Sequence, residues 1–315
     1  MSERIAYFDG DFVEHDRARV SIASHVVNYG TGCFEGIRAY WNGEHEELYV
    51  ALLDQHVHRL LRSARILKLD FDPEPATVRD VVVELLRRNG FREDAYVRPL
   101  VYKAGETIKV ALTGIPTAFA VYAQPMGPYL SIDAGLRLTL SAWRRIDDNA
   151  VPARAKAIGS YINAALASDE ARQKGFDEAL MLTGDGALAE ASSSNVFLVV
   201  DGELHTPAVS DDILVGITRG ALLELATDLA IPARERTIAR SEVLAADEVF
   251  LCGTGVQVAP VTEIDGRTIG SGKPGPLTLR LQERYLHVVR GERTDHAAWR
   301  TPVHRGRATA VDGKD

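Results

Sequence analysis

The spacing of apolar residues predicts alternating strands and helices along most of the chain. Apolar positions recur with a helical period over 52–67, and Gly90 ends a second helix predicted over 77–89. Two short strands are predicted on either side of Asp9-Gly10. Further strands are predicted over 95–101, 118–123, 136–143, 178–183, 194–200 and 248–252, and further helices over 160–174, 219–230 and 275–289. This mixture predicts an α/β (α+β) protein.

Proline and glycine interrupt the pattern at Pro125-Met-Gly-Pro128, where an interdomain linker is predicted. After Gly291 the chain becomes polar and basic and loses its periodicity, so its end is expected to pack loosely. The predicted divisions are a smaller N-terminal domain (1–125), a linker (126–135), a larger C-terminal domain (136–291) and a polar tail (292–315).

The composition indicates a soluble enzyme of 315 residues, with 46% apolar and 25% charged residues. A net charge of −8 argues against binding to nucleic acids or anionic membranes. No apolar run approaches the about 18 residues of a membrane span, and the N-terminus lacks a signal sequence. Cys33 and Cys252 lack the spacing of a disulfide framework or a metal site. We therefore expect a cytoplasmic protein without a metal.

One lysine is distinguished from the others by its small neighbours. Lys156 lies in Ala153-Arg-Ala-Lys-Ala-Ile-Gly-Ser160 and is followed by Tyr161. Such neighbours let a planar partner approach, and a lysine amine removed from water can form a Schiff base with an aldehyde. Taken alone, Lys156 fits a surface residue at the start of a helix better than a catalytic residue.

Three downstream stretches could complete a site for pyridoxal 5′-phosphate. Glu190 lies among small residues before a predicted strand, where a carboxylate could keep a pyridine nitrogen protonated. Gly216-Ile-Thr218 begins a predicted helix, whose free N–H groups can bind phosphate. Gly253-Thr-Gly255 forms a second turn with N–H and hydroxyl donors. A lysine, a carboxylate and two anion-binding turns together point to this cofactor.

In these residues the chain resembles the class IV (fold type IV) aminotransferases, most closely the branched-chain amino acid aminotransferases. The resemblance extends from about residue 7 to about residue 291 and rests on several motifs in the family's order. These are His25-Val-Val-Asn-Tyr-Gly-Thr-Gly-Cys-Phe-Glu-Gly-Ile-Arg38, His56-Val-His-Arg-Leu60, Ala95-Tyr-Val-Arg-Pro-Leu100, the Lys156 stretch, Ala189-Glu-Ala-Ser-Ser-Ser-Asn-Val-Phe197, Gly216-Ile-Thr218 and Gly253-Thr-Gly255. The resemblance implies a two-domain fold with a mixed-sheet, barrel-like larger domain.

The resemblance also implies the roles of individual residues. Lys156 would be catalytic and carry pyridoxal 5′-phosphate, and the enzyme would transaminate leucine, isoleucine or valine with 2-oxoglutarate by a ping-pong mechanism. The implied cofactor-binding residues are Arg59, Lys156, Tyr161, Glu190, Leu214, Gly216, Ile217, Thr218 and Thr254. The implied substrate-binding residues are Tyr29, Phe34, Gly36, Arg38, Tyr96, Arg98, Tyr129, Thr254 and Gly255. The expected partners are small-molecule substrates, namely amino acids and 2-oxo acids, and a second copy of the chain in a homodimer or larger homo-oligomer.

Two departures from the family's pattern leave the choice of substrate open. Gly105-Glu-Thr-Ile-Lys-Val-Ala-Leu112 places Lys109 in a loop that is usually glycine-rich and closes over the pocket of the neighbouring subunit. Met126 replaces a common tryptophan. The alternatives are a D-amino acid aminotransferase, an (R)-amine transaminase, an aminodeoxychorismate lyase and a cofactor-free scaffold of the same fold.

Overall fold

The computed structural model describes residues 4–127 and 134–304, and the strands in these ranges form two sheets. The sheets have helices packed against them, as predicted for an α/β chain. Each helix in the described ranges is too short or insufficiently apolar to cross a lipid bilayer.

The first part of the chain builds most of the first sheet. Its elements are β1 (Ile5–Phe8), β2 (Asp11–Glu14), α1 (His25–Tyr29), β3 (Gly32–Phe34), β4 (Ile37–Asn42), β5 (Glu47–Ala51), α2 (Leu53–Ile66), α3 (Pro75–Asn89), β6 (Ala95–Lys103) and β7 (Thr117–Pro125). Strand β6 lies near the middle of the sheet and pairs antiparallel with β3, β4 and β7. One apolar core lies between this sheet and the helices α2 and α3.

The second part of the chain builds the second sheet. Its elements are β8 (Leu136–Leu140), α4 (Tyr161–Gln173), β9 (Glu178–Leu182), β10 (Leu188–Ala191), β11 (Asn195–Val200), β12 (Glu203–Thr206), α5 (Ile217–Asp228), β13 (Ala233–Glu235), α6 (Arg240–Val243), β14 (Glu248–Gly253), β15 (Gln257–Ile264), β16 (Arg267–Thr268), α7 (Pro276–Val289) and β17 (Arg300–Pro302). The strand order is β10-β9-β8-β15-β14-β11-β12-β13, and β16 pairs with β15. The sheet is mixed, because β8 runs parallel to both of its neighbours.

A further core joins the two parts of the chain. Helices α5 and α7 cover one face of the second sheet, and Tyr40 and Ala51 of the first sheet pack into the same cluster. The fold class predicted from the sequence is confirmed. The boundaries at 125, 135 and 291 stay a prediction.

The predicted strands and helices are found, with bounds that agree to within three residues at each end. For example, Gly90 ends α3 in the left-handed region with φ 63°, as predicted, whereas the helix begins at Pro75, two residues before its predicted start. Short elements such as β13 and α6 were missed, because three or four residues carry too little periodicity to identify a structure.

The expectation that the end of the chain packs loosely is wrong for residues 297–303. Strand β17 pairs antiparallel with β5 and forms one edge of the first sheet. Trp299 is buried in the core that contains α7, and Val303 is buried in the core beneath the first sheet. The burial of two apolar side chains and the pairing of β17 with β5 thus fix a segment that is otherwise polar.

Candidate active site

The Lys156 stretch is held against the first sheet just before α4 begins. The backbone N–H of Phe34 donates to the Lys156 carbonyl at 3.1 Å, and the N–H of Ile158 donates to Gly32 at 2.8 Å. The Lys156 N–H in turn donates to the Ser63 hydroxyl on α2 at 3.1 Å. The side chain is directed at an aromatic partner, because Nζ donates to the Tyr161 hydroxyl at 2.7 Å. Lys156 is therefore a fixed group and not a mobile surface lysine.

Glu190 lies in β10 and is buried, with several donors gathered around its carboxylate. Arg145 Nη2 lies 2.8 Å from Oε1, and Asn195 Nδ2 donates to Oε2 at 2.9 Å. The Leu214 N–H points between both oxygens, at 3.2 and 3.3 Å. Burial raises the pKa of Glu190, and the charge of Arg145 and the Leu214 N–H oppose that rise. The donors fix the orientation of the carboxylate.

Arg145 was missed by the sequence analysis. It stands in Arg144-Arg-Ile-Asp-Asp148, a charged run typical of a solvated loop, yet its side chain is mostly buried against Glu190. Its Nε also donates to the Asp212 carbonyl at 3.2 Å. A buried carboxylate requires a cationic or hydrogen-bonding partner, and that requirement was the one available signal for Arg145.

The start of α5 forms a cradle for an anion. Gly216 is the N-cap, so the first N–H groups of the helix are free to bind a ligand. A Cβ at Gly216 would lie 1.8 Å from Asn195 Oδ1, so a larger residue there would displace the Asn195 side chain. Arg59 reaches the same region from α2, where Nη1 donates to the Val215 carbonyl at 2.9 Å.

A second group of residues from the first sheet faces the lysine. Arg98 Nη2 donates to the Tyr96 hydroxyl at 2.7 Å, and its guanidinium carbon lies 4.4 Å from the centre of the Phe34 ring. Gly36 lets Tyr96 approach, because a Cβ there would lie 2.1 Å from the Tyr96 hydroxyl oxygen. The result is an aromatic wall with one guanidinium in it.

These groups surround one cavity of about 430 Å³ between the two parts of the chain. The structure brings most of the residues implied by the resemblance into its lining: Phe34, Gly36, Arg59, Tyr96, Arg98, Lys156, Tyr161, Glu190, Leu214, Gly216, Ile217, Thr218, Thr254 and Gly255. The lining also contains residues without a role in the sequence analysis, among them Gln124, Arg145, Ser192, Ser193, Ser194 and Asn195.

Three of the implied substrate residues are placed differently. The Tyr29 hydroxyl lies at the surface of this chain and donates to the Ile108 carbonyl at 2.8 Å. Arg38 is buried beside the cavity and donates from both Nη atoms to the Gly127 carbonyl at 3.1 Å. Tyr129 lies outside the described residues.

The donor set fits pyridoxal 5′-phosphate. Lys156 can bind its aldehyde carbon, Glu190 can face the ring nitrogen, and the start of α5 with Arg59 can hold the phosphate. Two polar atoms in the lining, Ser194 Oγ and Arg98 Nε, are buried without a hydrogen-bond partner in the described part of the chain. Buried polar atoms of this kind are usually satisfied by a ligand or water.

Comparisons with known proteins agree with this geometry. Residues 32–264 match the family model described as "Amino-transferase class IV". A probable branched-chain-amino-acid aminotransferase of Aquifex aeolicus is 43% identical over 96% of this chain and 98% of its own. Among solved structures, the branched-chain aminotransferase of Thermoproteus uzoniensis with norvaline has a TM-score of 0.93 at 42% identity, covering 96% of this chain and all of that one. The enzyme of Thermobaculum terrenum in its pyridoxal phosphate form has a TM-score of 0.91 at 34% identity, covering 96% and 98%.

Proposed function

Because the chain belongs to the class IV aminotransferases, which use pyridoxal 5′-phosphate, we propose that it exchanges amino groups between branched-chain L-amino acids and 2-oxoglutarate. Leucine, isoleucine and valine would donate the amino group, and 2-oxoglutarate would accept it and become glutamate. The two substrates would occupy the same cavity in alternate half-reactions, as a ping-pong mechanism requires.

One observation carries this proposal: a single cavity contains the Lys156 amine and an aromatic wall in which the Arg98 guanidinium lies. Phe34 offers an apolar surface to a branched side chain. Arg98 has donors beyond the one it gives to Tyr96, so it can bind the distal carboxylate of glutamate or 2-oxoglutarate. An arginine enclosed by aromatic rings is costly without an anionic ligand, which favours a dicarboxylate as the second substrate.

The reaction divides between the cofactor and the side chains of this chain. Bound pyridoxal phosphate supplies the carbonyl that accepts the amino group and a ring that delocalises the electron pair left on the substrate Cα. With the cofactor bound, Lys156 Nζ would take the proton from the substrate Cα as a general base. As a general acid it would deliver that proton to the former aldehyde carbon of the cofactor, on the other side of the amino nitrogen. The Tyr161 hydroxyl, 2.7 Å from Nζ, orients the amine. Glu190 keeps the ring nitrogen charged.

A substrate panel tests this function. Purified protein with pyridoxal 5′-phosphate is offered L-amino acids, D-amino acids and (R)-amines, each with 2-oxoglutarate or pyruvate. We expect the fastest turnover with leucine, isoleucine or valine and 2-oxoglutarate, and no multiple turnover by the Lys156→Ala variant. Preference for D-alanine or for an (R)-amine would assign one of the alternative activities of the same fold and refute the branched-chain proposal.

We also propose that the protein is a homodimer, because α1 and the loop from 105 to 112 together expose an apolar patch. Ile108 and Val110 are 88% and 71% exposed, and Val27 and Tyr29 are exposed beside them. Contiguous exposed apolar residues of this kind mark interaction sites. A second copy on this patch would bring Tyr29 and the loop over a neighbouring cavity, which would explain why Tyr29 points away from its own.

The mass of the protein in solution tests this assembly. Val110→Asp should shift the mass measured by light scattering from two chains towards one, because a buried charge opposes association. Leu279→Asp, a similar change at an exposed position on α7, should leave the mass unchanged. A monomeric parent protein would refute the homodimer.

A cytoplasmic location is proposed as well, supported by two buried cysteines that carry free thiols.

A further inference from the structure

We propose that Glu35 and His56 are positioning residues that orient Arg59 towards the cofactor phosphate. The inference rests on the proposed function, in which Arg59 binds that phosphate. Glu35 and His56 both lie in motifs that suggested the family, yet neither has a role in the chemistry described above. Glu35, His56 and Arg59 are buried, with 0%, 2% and 5% of their surface exposed.

Glu35 holds Arg59 along one side of the guanidinium. Arg59 Nε donates to Oε1 at 2.7 Å, and Nη2 donates to Oε2 at 2.8 Å. His56 Nδ1 lies 2.7 Å from the same Oε2. Two parallel bonds to one carboxylate fix the plane of a guanidinium as well as its position. His56 fixes the carboxylate in turn.

The hydrogen bonds leave Arg59 with two N–H groups for a ligand. A guanidinium carries five N–H groups, one on Nε and two on each Nη. Glu35 accepts from Nε and Nη2, and the Val215 carbonyl accepts from Nη1. One N–H group remains on each Nη, and the Arg59 side chain lines the cavity beside the start of α5. Two adjacent N–H groups suit two oxygens of one phosphate.

The fold brings the three residues together from separate elements. Glu35 lies in the short link between β3 and β4, where its backbone N–H donates to the Pro99 carbonyl at 3.0 Å. His56 and Arg59 are three residues apart on α2 and so share one face of that helix. Neither element could orient Arg59 alone.

The charges of the cluster explain how it can be buried in the protein. Burial raises the pKa of Glu35, but the charge of Arg59 and the hydrogen bonds from Arg59 and His56 outweigh it, and the pKa lies well below its ordinary value. Burial lowers the pKa of His56, so that side chain is neutral. Glu35 and Arg59 therefore compensate each other. Protein groups alone make the three hydrogen bonds that orient Arg59, so phosphate binding should cost little side-chain freedom.

The test compares two ligands that differ only in the phosphate. Full-length protein freed of cofactor is titrated with pyridoxal 5′-phosphate and with pyridoxal, and binding is followed by absorbance. In Glu35→Gln the amide presents an N–H group where Arg59 or His56 needs an acceptor. We expect affinity for the phosphorylated ligand to fall roughly tenfold to a hundredfold, by analogy with groups that orient metal ligands, and affinity for pyridoxal to stay unchanged.

Two further variants separate this inference from the proposed function. Arg59→Met should weaken the binding of pyridoxal 5′-phosphate at least as much as Glu35→Gln does. If it does not, Arg59 is not a phosphate ligand. If Arg59→Met weakens that ligand and Glu35→Gln does not, or weakens both ligands equally, the positioning role is refuted while the site stands. Should Glu35→Gln fail to fold, His56→Phe and His56→Gln decide, because only glutamine keeps an N–H donor for Glu35 and should restore the affinity.

Discussion

Arg145 is the main group that favours the charged form of Glu190. Burial raises the pKa of Glu190, and the Arg145 guanidinium, 2.8 Å away, is the largest opposing influence. The carboxylate can act as a partner for a protonated ring nitrogen only while it stays ionised. Arg145 therefore belongs to the chemistry even though Glu190 would make the contact with the ring.

Arg145→Met should remove that charge and keep most of the side-chain volume. We expect Glu190 to bind a proton, the ring nitrogen to lose its own, and the proton-transfer half-reaction to slow by on the order of 10²-fold. The ¹⁵N chemical shift of labelled cofactor measures the protonation directly. Arg144→Met is the matched control, because Arg144 is exposed and bonds to the Gly184 carbonyl. An unchanged ¹⁵N shift in Arg145→Met would contradict this role.

Arg98 should distinguish the two substrates. Arg98→Met should weaken the binding of glutamate and 2-oxoglutarate by about 2–4 kcal/mol. Only these two substrates bring a second carboxylate to a charge-assisted contact. Leucine should bind almost as before. Each half-reaction can be followed by the colour change of the cofactor with one substrate alone. Arg38→Met is the control, since Arg38 bonds to Gly127. Equal losses for leucine and glutamate would show a general structural role for Arg98.

At the scale of elements, the start of α5 links the phosphate end of the site to the carboxylate end. Asn195, beside Gly216, donates from Nδ2 to both Glu190 and the Leu214 carbonyl. A change at the N-cap of this helix therefore disturbs both ends through one side chain.

Two glycines of this helix region should respond in opposite ways to alanine. In Gly216→Ala the new methyl group displaces Asn195, so affinity for pyridoxal 5′-phosphate should fall. Gly220 lies inside α5 with open space around it, and Gly220→Ala should raise the free energy of unfolding by about 0.5–1 kcal/mol. Cofactor titration and urea unfolding measure the two effects. Normal cofactor affinity in Gly216→Ala would show that the site tolerates the methyl group without a disturbance of phosphate binding.

The sequence predicted the helices and strands of the fold wherever the pattern of apolar residues was long enough. Helix α2 was identified from a full apolar face, and Gly216 from its place before a helical run. Arg145 was missed, because the residues that bury it, Glu190 and Asp212, are distant in sequence. The β17 strand was missed for the same reason, since its pairing partner β5 lies about 250 residues earlier. Periodicity reports local structure, and these features arise only from long-range contacts.

At the scale of the whole molecule, the end of the described chain contributes to the core. Trp299→Ala should lower the free energy of unfolding by about 3–5 kcal/mol, because a large buried ring is lost among α7 and its neighbours. Trp143→Ala, at a largely exposed position, should cost far less. Urea unfolding of both variants provides the comparison. Similar losses for the two would contradict the packing described for Trp299.

The pairing of β17 with β5 also constrains how the chain folds as it is made. The first sheet lacks its last strand until residues 300–302 have left the ribosome, although all its other strands end by Pro125. During synthesis the β5 edge is therefore open, and an open strand edge invites association with other chains. Stalled nascent chains that end before Trp299 should be cut near β5 by proteases, and chains that expose residue 304 should resist them.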